Sequence, residues 1–369
     1  MKQLKKFLFF AFFFLAFWSL WRYPQPLWHY EEISQNESNT TKEIYTFQGT
    51  AMTMPYRISI ESSFNPMRRG ECEAVIQQIF HKTDSIFNRW NPHSEISRFN
   101  HSSSTQPVPI DPELRKLLLL AGMIHRQSGG FYDPTVLPLI LLWKKHLQKG
   151  TVPPSEELQK IKLSVGWEKL QFKSRHRLQK LDSRLQIDLG SIAKGYTVDL
   201  LCEYFSKIGC KHIYVEWGGE IRVSGGHPLR RSWIVGIKNP FKDQSFHYIS
   251  KIHLTDGAIA TSGHEQQYWL IHQEDGTIKP FSHIINPKTL QPLDISERDV
   301  VSCTIVAPTC ALADALATAG LMQPTLEEAK EWARRVIHEF ENTEVYIYSK
   351  DHRLWHFNKA KTHSQLIVY

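Results

Sequence analysis

Ile187-Asp188-Leu189-Gly190-Ser191-Ile192-Ala193-Lys194-Gly195 reads as the end of a short strand, Leu185–Leu189, that turns at Gly190 into a helix over Ile192–Phe205. A junction of this kind aims backbone N–H groups and the positive end of a helix dipole at one point, which suits a phosphate. Lys194 adds a cation in the first helical turn, and Asp188 adds an acid facing the same crevice. The segment is neither a Walker A nor a G-x-G-x-x-G sequence. An ordinary strand–helix junction with a surface lysine fits it equally well.

Upstream of this junction the periodicity is mostly helical. Ile44–Ile60 alternates as a hairpin around Gly49–Pro55, and Glu71–Phe87 has Val75, Ile79 and Ile86 at helical spacing. Pro112–Ser128 is a second helix, with Asp111 as N-cap and Pro112 in the first turn. Trp143–Lys149 closes a third. Downstream, strand-like runs dominate: His212–Glu216, Ile221–Val223, Trp233–Ile237, Tyr248–Leu254, Tyr268–His272, His283–Ile285 and Val300–Val306. Asp275-Gly276 is a hairpin-turn signal, and the glycine-containing Glu216–Glu220 and Ala260–His264 look like turns after strands. Ala311–Leu321 and Leu326–Glu339 are helices, and Val345–Trp355 is a last hairpin around Lys350–His352. Helices gather early and strands later instead of alternating, so the pattern implies an α+β fold.

The N-terminus has a separate character. Lys2, Lys5 and Lys6 precede an uncharged run from Phe7 to Trp21, a basic region followed by an apolar one. No small-x-small cleavage site follows, and Trp18, Trp21, Tyr23 and Trp28 are suited to an interface. Residues 1–22 are therefore expected to be an export signal kept as a membrane anchor, or else a cleaved signal peptide. The polar stretch 23–43 then serves as linker and 44–369 as the globular domain, outside the cytoplasm. The net charge is +7, but the first 22 residues hold Lys2, Lys5, Lys6 and Arg22 and no acid, leaving +3 for the rest. So balanced a body carries no nucleic-acid signature. The cysteines at 72, 202, 210, 303 and 310 match neither a zinc nor a redox spacing, and read as small buried hydrophobes.

A second chemical segment is Ala307-Pro308-Thr309-Cys310-Ala311-Leu312-Ala313-Asp314-Ala315-Leu316-Ala317-Thr318. Asp314 and Thr318 stand four apart, so both oxygens project from one helix face, walled by alanines that permit close packing. With a backbone carbonyl and phosphate oxygens they would complete a magnesium shell. Read alone, the pair is more often a helix acid with a polar neighbour than a metal site. His283, in Phe281-Ser282-His283-Ile284-Ile285-Asn286-Pro287, is one of 18 histidines and by itself is more readily structural than catalytic.

Taken in order, these segments resemble the FAD:protein FMN transferase family, the ApbE-like flavin transferases, from Gly49 to about Gln323. The likeness is carried by Gly49-Thr50-Ala51-Met52, by Asn91-Pro92-His93-Ser94-Glu95-Ile96-Ser97-Arg98-Phe99-Asn100 and by Gly130-Phe131-Tyr132-Asp133-Pro134-Thr135-Val136 ending at Trp143. Ile187–Gly195, Gly218–Glu220, Ala260–Gly263, Ser282–Pro287 and Ala307–Thr318 complete it. The resemblance implies a single catalytic domain with a mixed, largely antiparallel sheet flanked by helices. It implies that FAD is the substrate, that its FMN half is joined as a phosphoester to Thr or Ser of a target protein, and that AMP leaves. Asp314, Thr318 and the backbone carbonyl near Ser191 would hold Mg2+. Met52, Trp90, Phe131, Tyr132, Asp133, Asp188 and Lys194 would line the FAD site, and His283 would be the base for the acceptor hydroxyl. The acceptor implied carries a D-G-x-[ST]-G-A-[ST]-like motif, as in a subunit of a sodium-pumping quinone reductase or a related electron-transport complex. The domain would be held at the inner membrane on its periplasmic side.

Several positions depart from the family pattern. Thr53-Met54 replaces the common Gly-Thr, Ser191 stands where glycine or alanine is common, and Glu220 replaces an Asp. His264 stands where Asp often follows Thr-Ser-Gly, and Leu290 replaces a turn glycine. None removes the implied metal ligands or His283. Two other readings use the same residues: an FAD pyrophosphatase that releases FMN and AMP to water, and a non-catalytic flavin-binding protein. The last needs neither His283 nor the Asp314–Thr318 pair.

Overall fold

The computed structural model describes residues 44–61, 67–241, 247–264, 268–272, 277–296, 298–359 and 361–367. The apolar run 7–21, the linker and the Asp275-Gly276 turn lie outside them. The chain begins with the hairpin β1 (Ile44–Ala51) and β2 (Met54–Glu61), then helix α1 (Arg69–Phe87), which buries Cys72, Ile76, Phe80 and Ile86 at helical spacing. Ser94 caps α2 (Glu95–His101) by accepting from the Ser97 N–H. After β3 (Val108–Pro109), Asp111 caps α3 (Pro112–Gln127) as its sequence requires, accepting from the Glu113 N–H. Helix α3 buries Leu114, Leu117 and Leu118 completely, which stabilises by about 2 kcal/mol for each leucine. Helices α4 (Leu137–Leu147) and α5 (Ser155–Lys162) and the hairpin β4 (Leu170–Ser174) with β5 (Arg177–Lys180) complete the first half.

The second half runs through α6 (Ala193–Lys207), β6 (Ile213–Trp217), β7 (Glu220–Ser224), β8 (Trp233–Lys238), β9 (Tyr248–Leu254) and β10 (Gly257–Gly263). Then come β11 (Tyr268–His272), β12 (Ile278–Ile285), β13 (Pro292–Asp294) and β14 (Val300–Ala307). Helices α7 (Cys310–Leu321) and α8 (Leu326–Glu339) lead to β15 (Glu344–Ser349), β16 (Leu354–Asn358) and β17 (Lys361–Ile367).

Nine strands make one sheet in the order β1-β2-β6-β7-β10-β14-β15-β16-β17. All of its ladders are antiparallel, so the expected largely antiparallel sheet is present. Helices α6 and α7 cover one face. The β8–β9 hairpin covers the other, setting Trp233, Val235 and Ile237 against Tyr214, Ile221, Ile259 and Tyr346. A separate sheet, β11-β12-β13, packs on α4 through Ile271, Ile285, Leu139 and Trp143. All five cysteines are free and buried, in keeping with their irregular spacing.

Two expectations fail, each for a tertiary reason. Leu185–Leu189 is extended but makes no ladder; its one β pairing is an isolated parallel bridge between Gln186 and Val136. A side chain takes the missing strand's place. Asn100 donates to the Ile187 carbonyl and accepts from the Ile187 N–H, both at 2.8 Å. The Asp188 N–H donates to the Pro134 carbonyl at 2.8 Å, and the buried Lys180 ammonium donates to the Leu185 carbonyl at 3.2 Å. Asn100→Ala would strand a buried N–H and a buried C=O. We expect it to cost about 2–4 kcal/mol, read as a fall in denaturant midpoint with an unchanged slope.

The other failure is Ala260–His264, whose glycine and hydroxyl residues suggest a turn. Its first four residues belong instead to β10, a central strand paired with β7 and β14. Small side chains there are a packing requirement, because α7 lies directly over this strand. Tertiary neighbours on both edges and one face override local propensity.

Candidate functional site

The site is built where the N-termini of α6 and α7 meet. Gly195 is required there: a Cβ on it would stand 2.3 Å from the Cys310 carbonyl oxygen. Its N–H donates to Asp314 Oδ2 at 3.1 Å. One turn further along α6, the Asp199 carboxylate accepts from the N–H groups of Cys310 and Ala311 at 2.7 and 2.9 Å and from Arg222 at 2.7 Å. Asp199 therefore caps α7 from outside and fixes the helix that presents Asp314 and Thr318. Burial pushes its carboxyl up to about 6, against the pull of Arg222.

Lys194 is not a surface lysine. Its ammonium forms an ion pair with Glu220, the first residue of β7. Burial disfavours the Lys194 charge, but the carboxylates of Glu220 and Asp314 outweigh it and raise its pKa. For Glu220, burial and then the like charge of Asp314 push the carboxyl up, against the pull of Lys194. Burial likewise raises Asp314, offset in part by Lys194 and the Gly195 N–H. Glu220 Oε2 is buried without a hydrogen-bond partner. Two buried carboxylates thus share one ammonium, leaving an acidic excess in a desolvated place.

The preceding turn carries a further acid, balanced by an arginine. The Gly190 N–H donates to Asp188 Oδ1 at 2.9 Å, and Asp188 Oδ2 meets Arg89 at 3.3 Å. The junction's Gly190 and Gly195 N–H groups are therefore committed to carboxylates. Carboxylates therefore line the junction that the sequence offered as a place for a phosphate. Tyr132, fully buried, places its hydroxyl 3.3 Å from Ser191 Oγ. Burial raises the Tyr132 phenol, and Asp314, Asp188 and Asp133 add to the rise, so all three acids surround it. Asp133 is itself buried and accepts from the Thr135 N–H and hydroxyl at 2.8 and 2.7 Å.

Other expected site residues sit around this cluster. Thr318 is hydrogen-bonded to Ser262 of β10 at 2.9 Å. Trp90 is 65% exposed, with Arg89 at 4.1 Å and Lys144 at 4.8 Å from its ring centre. Phe131 carries the Lys288 ammonium 3.9 Å over its ring. His283 is exposed on β12, in a different sheet from the carboxylates. Just beyond β10 lies His264, which is 2% exposed. Burial first, then Arg298 and His283, push its imidazole down to about 3. An unfolded chain takes up that proton near pH 6.5 and the folded one does not. The stability His264 contributes is complete above about pH 6.5 and is lost toward pH 3, at about 1.4 kcal/mol per pH unit. Chemical denaturation at pH 7 and pH 5 should show this loss, and His264→Leu should reduce it.

Met52 and Thr53 form the two-residue turn of the first hairpin, with φ of 45° and 69°. Both lie in the left-handed region, which is costly for a β-branched residue. The tip is held beside the β6–β7 turn, where Gly218, at φ 64°, leaves room for Met54. Trp217 Nε1 donates to the Ala51 carbonyl at 3.2 Å. Thr53→Gly should relieve the strain and raise stability by about 1 kcal/mol, seen as a higher melting temperature.

The structure therefore brings Tyr132, Asp133, Asp188, Ser191, Lys194 and Asp314 together, with Thr318 adjoining through α7. Met52, Trp90 and Phe131 stand at the periphery, and His283 lies on β12 in the separate sheet. Sequence reading missed Arg89, Asp199 and Ser262 as partners; only Asp199, four residues after Gly195 on the same helix face, left a legible sign. Among the described residues no three His, Cys, Asp or Glu side chains group closely enough to hold a metal alone. The oxygen groups at hand include the Asp314 carboxylate and, one turn along α7, the Thr318 hydroxyl. They fit a hard cation that completes its shell with water and phosphate.

A family model described as the ApbE family matches residues 52–347. A Chlamydia muridarum protein named FAD:protein FMN transferase is 38% identical over 291 residues, 78% of this chain and 87% of its own. A Vibrio cholerae protein of the same name is 34% identical over 253 residues, 68% of this chain and 72% of its own. The structure of the flavin transferase ApbE from Vibrio cholerae superimposes with a TM-score of 0.73 at 27% identity, covering 86% of this chain and 98% of that one.

Proposed function

The chain belongs to the ApbE family, and from that premise we propose that it is a magnesium-dependent FAD:protein FMN transferase. In this reading FAD and a protein hydroxyl give the FMN phosphoester of a Thr or Ser side chain, and AMP departs. The observation that carries it is the buried acidic excess of Asp314 and Glu220 over Lys194. Such a pocket repels a pyrophosphate unless a divalent cation stands between them. Asp314, Thr318 and the backbone carbonyl of Ser191 would hold Mg2+, which supplies charge neutralisation to the phosphates as the bond between them breaks.

The chain's own groups have separable tasks. Asp199 and Gly195 keep Asp314 in place. Lys194 supplies a fixed positive charge at the pocket wall. Met52, Trp90, Phe131, Tyr132, Asp133 and Asp188 line the space for FAD, the exposed Trp90 offering a ring face for stacking. His283 takes the proton from the acceptor hydroxyl as its oxygen bonds to the FMN phosphorus and the bond to the AMP phosphate breaks. Its exposure suits an acceptor that arrives from outside as part of another protein. The acceptor we propose carries a D-G-x-[ST]-G-A-[ST]-like motif on a subunit of a sodium-pumping quinone reductase or related complex. We also propose that the segment before residue 44 tethers the domain to the inner membrane on the periplasmic side. Protease shaving of spheroplasts should then digest the domain, and its protection would refute the placement.

Incubating the protein with FAD, Mg2+ and such an acceptor tests the reading. One FMN mass added to the acceptor supports it; free FMN without adduct points to hydrolysis. Undiminished cleavage of FAD in EDTA would remove magnesium from the scheme.

A further inference from the structure

The reaction as described leaves Arg89 without a role. Its Nε meets Asp188 Oδ2 at 3.3 Å, and its side chain is 22% exposed. A guanidinium presents its N–H donors in a fixed fork. Among the described residues, those on its two terminal nitrogens have no protein partner. The turn between α1 and α2 holds the residue firmly. The Arg89 carbonyl accepts from the Ser97 hydroxyl at 3.0 Å, and the Trp90 N–H donates to Asn88 Oδ1 at 3.0 Å. Asn88 and Asn91 both donate to Asp84, at 2.7 and 2.6 Å. Trp90 is the most exposed large hydrophobic side chain among the described residues, at 65%. The Arg89 guanidinium lies 4.1 Å from its ring centre, and the Lys144 ammonium, from α4, lies 4.8 Å from it. Lys144 makes no ion pair among the described residues. Two cations thus share one exposed ring, and Asp188 is the one carboxylate that meets either. Like charges so placed repel, and an anion that joins them removes the cost. The Lys194 ammonium, by contrast, is already taken by Glu220.

We propose that Arg89 is a further substrate-binding residue: its terminal N–H groups take one phosphate of FAD while the base of that same nucleotide half stacks on Trp90. The inference rests on the reading of this pocket as an FAD site. A guanidinium fork matches a phosphate with two parallel, charge-assisted hydrogen bonds, which an ammonium does not reproduce. Asp188 orients the fork through Nε, and Lys144 adds positive charge at the same ring. The phosphates of the AMP half and of the FMN half share this chemistry.

The test measures binding to the full chain, to Arg89→Gln and to Arg89→Lys in the presence of Mg2+, with melting temperature recorded alongside. AMP is compared with adenosine, and FMN with riboflavin. Arg89→Gln should weaken AMP or FMN by ~10-fold or more and leave the phosphate-free counterpart nearly unchanged. Arg89→Lys, which keeps the charge without the fork, should recover only part of the loss. The ligand that weakens more identifies the half of FAD that Arg89 holds. Unchanged AMP and FMN affinity in Arg89→Gln overturns the proposal. So does equal weakening of phosphate-bearing and phosphate-free ligands, the mark of an arginine that only keeps Asp188 in place. Full recovery in Arg89→Lys would leave charge alone at work and overturn the fork. If the parent chain does not bind FAD, the reading of the pocket falls and this inference with it. If it binds FAD while Arg89→Gln binds AMP and FMN as the parent does, only the inference falls.

Discussion

Asp314→Asn is expected to lose roughly 10³-fold or more in FAD cleavage while folding at least as stably as the parent. The amide is isosteric, and its oxygen can still accept the Gly195 N–H that Asp314 Oδ2 accepts at 3.1 Å. What disappears is a negative charge that burial already disfavours and that pushes Glu220 up as well. Lys194 and Glu220 would remain as a balanced pair. The variant should therefore melt at the same temperature or slightly higher, because burial disfavours the charge that is removed. Chromatography of FMN and AMP reads the activity, and the magnesium-dependent rise in melting temperature of the parent should vanish in the variant. Cleavage within tenfold of the parent would sink the metal assignment. The linkage has a definite sign: protons compete with the cation for a carboxyl whose pKa is raised, so apparent magnesium affinity should fall as pH is lowered.

The second large effect is on the acceptor side. His283→Ala should reduce FMN transfer by roughly 10²–10⁴-fold, the usual range for a lost general base. The side chain is exposed, so melting temperature should hold. FAD binding, followed by flavin fluorescence, should also hold, because the groups proposed to face the pyrophosphate lie on α6, on α7 and in the turn before α2. This separation of transfer from binding is the diagnostic result. If transfer and FAD affinity fell together, His283 would belong to the flavin pocket and not to the acceptor.

Much of this architecture was legible before folding was considered. Asp111 followed by Pro112 set the start of α3, and the i,i+4 spacing of Asp314 and Thr318 on an alanine-walled helix put both oxygens on one face. Local chemistry decides such features, because caps and helical periodicity are settled within a few residues. β10 was hidden for the opposite reason: its glycine, serine and threonine content says turn, and only strands on both edges and a helix above make it a strand.

The Ile187–Gly195 segment divides along the same line. By itself the sequence determined a strand-like approach, a turn at Gly190, a helix after it and a lysine in the first turn, since each depends on near neighbours in the chain. Its charge could not be read that way. Asn100, 87 residues before Ile187, stands in for the missing strand; Glu220, 26 residues after Lys194, claims the ammonium; and Asp314, 119 residues after Gly195, claims the N–H. Only tertiary structure set those partners in place. Burial then set the charge balance of the junction, because carboxylates removed from water have their pKa raised and gather on the one ammonium within reach.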